Sequence, residues 1–312
     1  MERGADRLSR PSEEGHAADG ARWPDGARAA VSITFDNLGE AAEIELGLRD
    51  PLAPRGGHYS VTTALPIVLS ELASAELRAT FFVEGLNAEI YPDALRDIAA
   101  AGHELAYHAW CHEDWSALDP DAEAANLDHG LAALGALGIE VVGMRPPGGR
   151  LTDRTLALLR RCGLRYCSPA GSVAGVVLAT GGAAEADRLA VLPFGWQSVD
   201  AFHILPAFAP LRQRLTGSAE PGGPAAVGEA LPRCVEDAVA SGGHAMLVLH
   251  TWLIELEREV VCDVLAGLRE RVATGELWAA PCQEVAAWMA GERHPSLSVP
   301  PPLDSTSWTA PG

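Results

Sequence analysis

Lysine is absent from this chain of 312 residues, because all 23 basic residues are arginine. Without a lysine amine the protein has no group for Schiff-base chemistry, for anchoring pyridoxal phosphate or for a Walker-type phosphate loop. Basic residues of any kind are outnumbered, since 42 acidic residues give a formal net charge of −19 at pH 7. A field of that sign repels nucleic acid and anionic lipid, so we expect neither nucleic acid nor membrane as a partner.

Long apolar runs and cysteine pairs are also missing. No run of 18 apolar residues occurs, and Met1–Gly26 lacks the apolar core of a signal peptide, which predicts a cytoplasmic protein. The six cysteines form no C-x-x-C pair in a chain too long to depend on disulfides. We expect most of them to be small, buried, apolar residues.

Short apolar runs alternate along the chain with amphipathic, Ala- and Leu-rich segments. This alternation predicts an α/β fold with a mostly parallel sheet and crossover helices, either doubly wound or closed into a barrel. The predicted strands are Val31–Phe35, Ala79–Val83, His103–Tyr107, Val141–Met144, Leu164–Tyr166, Val191–Phe194, Ala245–Leu249 and Leu277–Ala280. The predicted helices are Thr63–Glu76, Pro92–Ala101, Asp121–Leu137, Thr152–Cys162, Val227–Ser241 and Glu255–Ala273.

The domain organisation follows from composition. We predict a disordered or extended segment over residues 1–27, one catalytic domain over 28–290 and a Pro-rich tail over 291–312. Within the domain, Ala170–Ala190 and Pro206–Gly228 are rich in Gly, Ala or Pro and are predicted to be long surface insertions.

Five predicted strands are each followed directly by a charged or titratable residue. These residues are Asp36, Glu84, His108, Arg145 and His250. The carboxyl ends of barrel strands form the rim where barrel enzymes assemble their active sites, so the pattern favours a barrel with a site at that rim. Strands that simply end in polar loops are the alternative.

Three of these positions carry recognisable chemistry. His108 and His112 would share one face of a helical turn, within reach of one divalent ion, although two surface histidines would show the same spacing. Asp36 and Asn37 place a candidate general base beside a weak neutral ligand, or else form a helix cap and a turn. Arg145 precedes two prolines and could clamp a carboxylate or close the barrel rim.

These motifs, taken in order, resemble the polysaccharide deacetylase superfamily: carbohydrate esterase family 4, with its NodB-like homology domain. The closest likeness is to the branch that includes metal-independent allantoinase-type enzymes and small-molecule amidases. The resemblance covers Trp23–Trp288. Its motifs are Thr34–Asn37, Ala79–Val83, Gly102–Glu104 leading into His108-x3-His112, Arg145–Gly148, Leu192–Asp200 and Leu249–Ile254. The resemblance implies a distorted (β/α) barrel of about seven parallel strands with outer helices.

The resemblance also implies a role for each matched residue. Asp36 corresponds to the general base, Arg145 to the residue that orients it, His250 to the general acid and Asp200 to the partner of that histidine. The family metal is held by two histidines, matching His108 and His112, and by an aspartate whose position is occupied here by Asn37.

The asparagine at position 37 is the one departure from the family pattern. A neutral ligand attracts a divalent cation less than a carboxylate does, so loose metal binding, a different third ligand or metal-free operation all stay open. Glu40, Glu43 and Glu84 are the candidate substitutes. With both histidines present, we expect a divalent metal, Zn²⁺ first, with Co²⁺, Ni²⁺ or Mn²⁺ as alternatives.

The predicted activity is hydrolysis of a C–N amide bond, by metal-dependent removal of an N-acetyl or other N-acyl group. We expect a small-molecule substrate, such as an amino sugar or an intermediate of secondary metabolism, with Trp110, Trp115, Trp196 and Trp252 as candidate pocket walls or as core residues. The alternatives are a metal-independent, allantoinase-like opening of a cyclic amide or ureide, and recruitment of the fold for a non-hydrolytic cyclase or isomerase reaction. Homo-oligomerisation is left open.

Overall fold

The computed structural model describes residues 23–50, 52–171, 177–180 and 188–291. Its strands are β1 Ala29–Asp36, β2 Thr80–Val83, β3 Glu104–Tyr107, β4 Gly143–Met144, β5 Tyr166–Cys167, β6 Val177–Thr180, β7 Arg188–Val191, β8 His244–His250 and β9 Leu277–Ala279. They form one sheet in the order β6-β7-β5-β4-β3-β2-β1-β8, with β9 also paired to β1. Every pair is parallel except β6 with β7.

The sheet curls into an incomplete barrel. A bridge between Val199 and Val248 connects the chain that follows β7 to β8, which is the opposite end of the strand order. Alternate residues of each strand join two separate clusters, as the period of a strand requires. Phe82 and Met246 belong to the inner cluster, whereas Phe35 and Phe81 pack outward on the helices. The predicted distorted (β/α) barrel is therefore confirmed.

Helices surround this sheet. They are α1 Ala41–Glu45, α2 Leu65–Ala75, α3 Asn87–Ile90, α4 Pro92–Ala100, α5 Pro120–Ala136, α6 Thr155–Arg161, α7 Asp200–Ile204, α8 Ala209–Thr216, α9 Gly223–Ser241, α10 Ile254–Ala273 and α11 Cys282–Gly291. The start of α5 shows how the sequence sets these bounds. Asp119 accepts hydrogen bonds from the backbone N–H groups of Asp121 and Ala122, and Pro120 occupies the first turn, where no N–H is needed.

The surface insertion predicted for Pro206–Gly228 is wrong. This segment contains α8 and the start of α9, and Phe208 and Leu211 are buried. Arg212 donates hydrogen bonds to the carbonyl oxygens of Phe202 and Leu205, so the segment is anchored to the domain. Pro206, Pro210 and Pro224 lie in the first turns of helices, and a left-handed Gly217 ends α8. The prolines and glycines that predict a loop therefore mark helix boundaries here.

The insertion predicted for Ala170–Ala190 contains β6 and most of β7. Residues 172–176 and 181–187 lie outside the described residues. The strand predicted at Val191–Phe194 is displaced, because β7 ends at Val191 and Phe194 makes only an isolated bridge to Ala170.

The packed domain begins earlier than the predicted boundary at residue 28. Trp23 is 2% exposed, and its indole N–H donates to the carbonyl oxygen of Gly242 at 3.0 Å. Residues 1–22 and 292–312 lie outside the described residues, so the disordered segment and the Pro-rich tail stay predictions. In the described ranges, no helix is both long and apolar enough to cross a bilayer.

Candidate active site

The strand register brings the predicted residues together at the carboxyl edge of the sheet. Asp36 ends β1 directly opposite His250, which ends β8. Tyr107 of β3 lies opposite Met144 of β4, so His108 and Arg145 enter the neighbouring loops at the same level. Glu84 follows β2 at the same edge.

Asp36 is held by Arg145. The buried guanidinium donates to Asp36 Oδ1 at 2.5 Å, to Thr34 Oγ1 at 2.9 Å and to Ser168 Oγ at 3.0 and 3.2 Å. It also lies over the Phe82 ring, 4.0 Å from the ring centre. Burial raises the pKa of Asp36, and the positive charge of Arg145 opposes this rise without cancelling it. The predicted contact between Arg145 and a carboxylate is therefore present, with Asp36 as that carboxylate.

His250 is oriented by Asp200. Its Nδ1–H donates to Asp200 Oδ1 at 2.5 Å, and its backbone N–H donates to Asp200 Oδ2 at 2.6 Å. Because Nδ1 is bonded to Asp200, Nε2 is the ring nitrogen that could transfer a proton to a substrate. Burial alone would lower the pKa of His250, but the charge and hydrogen bond of Asp200, together with the charge of Asp36, outweigh burial and raise it. The arrangement favours a protonated His250, which is the form that a general acid requires.

Glu257 is a part of this site that the sequence reasoning missed. It is buried in the first turn of α10 and contacts Asp200. Burial, followed by the charge of Asp200 and a hydrogen bond to it, raises the pKa of Glu257 to about 10, so this carboxyl is neutral at pH 7. Its signal in the sequence is a glutamate on the apolar stripe formed by Ile254, Val261 and Val264.

His108 and His112 are brought together by a loop. The helical turn predicted for them is wrong, because Ala109 and His112 have left-handed φ values of 64° and 71°. The loop nevertheless places the two rings 5.0 Å apart, centre to centre. His108 Nδ1–H donates to the carbonyl oxygen of Arg145 at 2.7 Å, which leaves Nε2 available. Burial lowers the pKa of each imidazole to about 3, so both are neutral, as metal-binding histidines must be.

Cys111, between these histidines, has a packing role. Its thiol lies 3.1 Å from the carbonyl oxygen of Ala41, to which it donates.

The side chains of Asn37, His108 and His112 can be compared with what the divalent metal of the fold family requires. The side-chain oxygen Oδ1 of Asn37 is buried, and no hydrogen-bond partner among the described residues reaches it. Such an atom is costly unless something coordinates it. Together with the imidazoles of His108 and His112 it supplies two nitrogens and one oxygen, a set that suits a divalent transition metal. These residues therefore fit a metal, although with no negative charge among the ligands.

Each of the three glutamates considered as substitute ligands has a protein partner for at least one carboxylate oxygen. Glu40 accepts from the backbone N–H of Gly56, Glu43 pairs with Arg49 and His58, and Glu84 accepts from the backbone N–H of Leu38. Across the described ranges, no group of three or more His, Cys, Asp or Glu residues is arranged to hold a metal ion.

The four tryptophans next to the motifs differ in their surroundings. Trp115 is a core residue, because its indole N–H is bonded to Glu123 and Thr155. Trp196 is buried among aromatic rings, and Trp110 stacks on His129 at 3.7 Å. Trp252 packs against a predicted catalytic side chain, with its ring centre 5.5 Å from that of His250.

Residues 25–167 match the family model for polysaccharide deacetylase. Among curated proteins, a 100-residue stretch is 35% identical to the peptidoglycan deacetylase-like protein FGM2 of Gibberella zeae, covering 32% of this chain and 29% of that protein. A stretch of the same length is 32% identical to chitin deacetylase 1 of Saccharomyces cerevisiae, covering 32% of this chain and 33% of that protein. The chain thus matches about a third of the length of these relatives.

Solved structures extend the match over most of the chain. A protein from Mycobacterium smegmatis assigned to the polysaccharide deacetylases is 29% identical, with a TM-score of 0.74 over 89% of this chain and 96% of that one. PuuE allantoinase is 17% identical, with a TM-score of 0.70 over 92% and 100%, and shows the shared fold alone. The narrower likeness to the allantoinase-type branch therefore stays a prediction. Residues 25–167 thus match a polysaccharide deacetylase domain, and most of the chain is similar in fold and sequence to the protein from Mycobacterium smegmatis assigned to the polysaccharide deacetylases.

Proposed function

We propose that the protein hydrolyses a C–N amide bond and so removes an N-acetyl or related N-acyl group from a nitrogen atom. One observation carries this proposal: Asp36 and His250 end adjacent strands in register, and each is held by its own partner, Arg145 or Asp200. A fixed base beside a fixed acid is what amide hydrolysis needs, because water must lose a proton and the leaving nitrogen must gain one.

The proposed reaction balances over these two groups. Asp36 takes a proton from water as the water oxygen forms a bond to the carbonyl carbon. His250 gives its proton to the amide nitrogen as the C–N bond breaks, which releases a carboxylic acid and an amine. Arg145 orients Asp36 and opposes the effect of burial on its pKa, and Asp200 orients His250 and raises its pKa.

We propose His108, His112 and Asn37 as the ligands of a divalent metal, with Zn²⁺ preferred and Co²⁺, Ni²⁺ or Mn²⁺ as alternatives. When bound there, a divalent ion would polarise the amide carbonyl as a Lewis acid. The orphaned Asn37 Oδ1 and the two neutral imidazoles support this assignment.

Removal of metal with a chelator is expected to lower amide hydrolysis at least about tenfold, because the Lewis acid contributes several kcal/mol to the barrier reduction. Added Zn²⁺ or Co²⁺ should restore the activity, measured as release of carboxylic acid. The matched variant is Asn37→Asp. It restores an anionic ligand with little strain, since aspartate tolerates the left-handed φ of 61° at this position. This variant should bind metal more tightly and resist the chelator.

A second candidate function is metal-independent hydrolysis of a cyclic amide or ureide. The neutral Asn37, in place of a carboxylate, is the observation that favours it. Full activity after metal has been removed, with metal content verified by elemental analysis, would decide for this candidate.

For the substrate we propose a small molecule, either an N-acylated amino sugar or an acylated intermediate of secondary metabolism. Trp252 supports a pocket of this kind, because its half-buried ring packs beside His250 and could cover the face of a sugar or another planar group. A panel of N-acetyl amino sugars, N-acyl amines, chitooligosaccharides and cyclic ureides tests the proposal by acid release or ring opening. Activity confined to the chitooligosaccharides would refute it.

The pH dependence of kcat should report His250. Its pKa is raised because the charge and hydrogen bond of Asp200 and the charge of Asp36 outweigh burial and the charge of Arg145. The acid form therefore persists above the usual imidazole pKa, and kcat should be lost as the pH rises through the raised value. Asp200→Asn removes the main charge and should move this alkaline limb down by about one pH unit or more. Glu257→Gln is the matched control, because it replaces a neutral acid by a neutral amide and should leave the limb in place.

A further inference from the structure

Two side chains outside the proposed reaction clamp the turn that follows β1. The backbone N–H of Leu38 donates to Glu84 Oε2 at 3.2 Å, and the carbonyl oxygen of Leu38 accepts from Asn87 Nδ2 at 3.0 Å. Asn87 Nδ2 also donates to Glu84 Oε2 at 3.0 Å, which joins the two side chains. Both polar backbone groups of the residue after Asn37 are therefore bound by one pair of side chains.

The clamped turn has an unusual backbone. Asn37 and Gly39 adopt left-handed φ values of 61° and 63°. A Cβ atom at Gly39 would lie 2.6 Å from the Tyr91 ring, so only glycine fits there. The ends of the turn are also bonded, because the Gly39 N–H donates to Ser60 Oγ at 2.8 Å and Thr251 Oγ1 donates to the Asn37 carbonyl oxygen at 3.4 Å. Such a conformation persists only where its surroundings hold it.

Glu84 is suited to this role by being neutral. The side chain is fully buried, and in the part of the chain that the structure describes no donor reaches its second oxygen, Oε1. An ionised Glu84 would therefore place an uncompensated charge in the interior, near the carboxylate of Asp36. Burial accordingly raises the pKa of Glu84 to about 8.

We infer that Glu84 is a positioning residue whose carboxyl, together with Asn87, holds the Asn37–Gly39 turn and so directs Asn37 into the active site. This inference rests on the proposed function for its effect on catalysis, but not for the clamp itself. It also accounts for the glutamate at the carboxyl end of β2 without assigning it as a metal ligand or a base.

The test compares Glu84→Gln with Glu84→Leu. Glutamine is neutral and its side-chain oxygen can accept from Leu38, so kcat should stay within about threefold of the parent. Leucine removes the acceptor, so kcat should fall about tenfold or more with little change in KM, because a mispositioned site loses transition-state stabilisation. Hydrogen exchange of the Leu38 amide provides a readout independent of activity, and its protection should fall at least about tenfold in Glu84→Leu only.

Asn87→Ala serves as a second variant if Glu84→Leu does not fold, since it removes the other half of the clamp and should expose the same turn to exchange. Unchanged Leu38 protection in Glu84→Leu, or in Asn87→Ala in its place, would overturn the inference. A loss of a hundredfold or more in kcat for Glu84→Gln would also overturn it, because glutamine keeps the acceptor on which the clamp depends. If the parent hydrolyses no amide, the proposed function fails while the exchange measurement still decides on the clamp.

Discussion

Asp36→Asn is expected to lower kcat for amide hydrolysis by about 10²–10⁴-fold, the usual contribution of a positioned general base. Asparagine is isosteric with aspartate and keeps an oxygen for the hydrogen bond from Arg145, so the loss should reflect chemistry and not unfolding. The measurement is acid release under saturating substrate, with the circular dichroism spectrum and the Tm recorded alongside.

The control for this substitution is Asp93→Asn, which neutralises an aspartate whose side chain is 92% exposed on α4. Its kcat should equal that of the parent, because water and salt screen the charge of an exposed side chain. An Asp36→Asn enzyme with unimpaired kcat would show that another group takes the proton from water, and the assignment of Asp36 would have to be abandoned.

His250→Gln is expected to lower kcat by a similar factor of about 10²–10⁴, and its effect should depend on the leaving group. Alkylamine leaving groups need a proton as the C–N bond breaks, whereas weakly basic anilines need it less. The loss should therefore be larger for an N-acetyl alkylamine than for an acetanilide of comparable kcat. Rate constants for both substrate classes, measured with parent and variant, give the comparison.

His129→Gln is the matched control, because His129 is exposed and stacks only on Trp110. It should leave both rate constants unchanged. Equal losses for the two substrate classes in His250→Gln would mean that His250 does not donate the proton in the rate-limiting step, even if overall activity falls.

Much of the site could be predicted because it lies where strands end. The sequence indicates that Asp36, Glu84, His108, Arg145 and His250 follow apolar strands, and parallel pairing alone brings such positions to one edge. The contact between Arg145 and Asp36 follows from that placement. The pairing of Asp200 with His250 came from the family resemblance, and the structure shows the same contact.

The features that were missed depend on backbone conformation and on burial. His108 and His112 meet through two left-handed residues, Ala109 and His112, whereas the sequence offered only the spacing of a helix. Glu257 carries an ionisable group on an apolar helix face, and its neighbour Asp200 is 57 positions away in sequence. Local periodicity marks Glu257 as an ionisable residue on an apolar stripe, but it indicates neither the contact with Asp200 nor the left-handed backbone at Ala109 and His112.

α8 was missed for a related reason. Proline and glycine mark helix ends as well as loops, and only the packing of Phe208 and Leu211 distinguishes the two.

The active site contains residues that are far apart in sequence, so catalytic activity requires that folding be complete. Arg145 joins Asp36, which is 109 positions earlier, and Ser168, which is 23 positions later, while His250 comes to lie beside Asp36 only after the last long strand has paired. Contacts of such high sequence separation form late, since loop closure must be completed before they are made. A refolding chain should therefore regain helical signal before it regains turnover, and the delay between the two would report closure of the barrel.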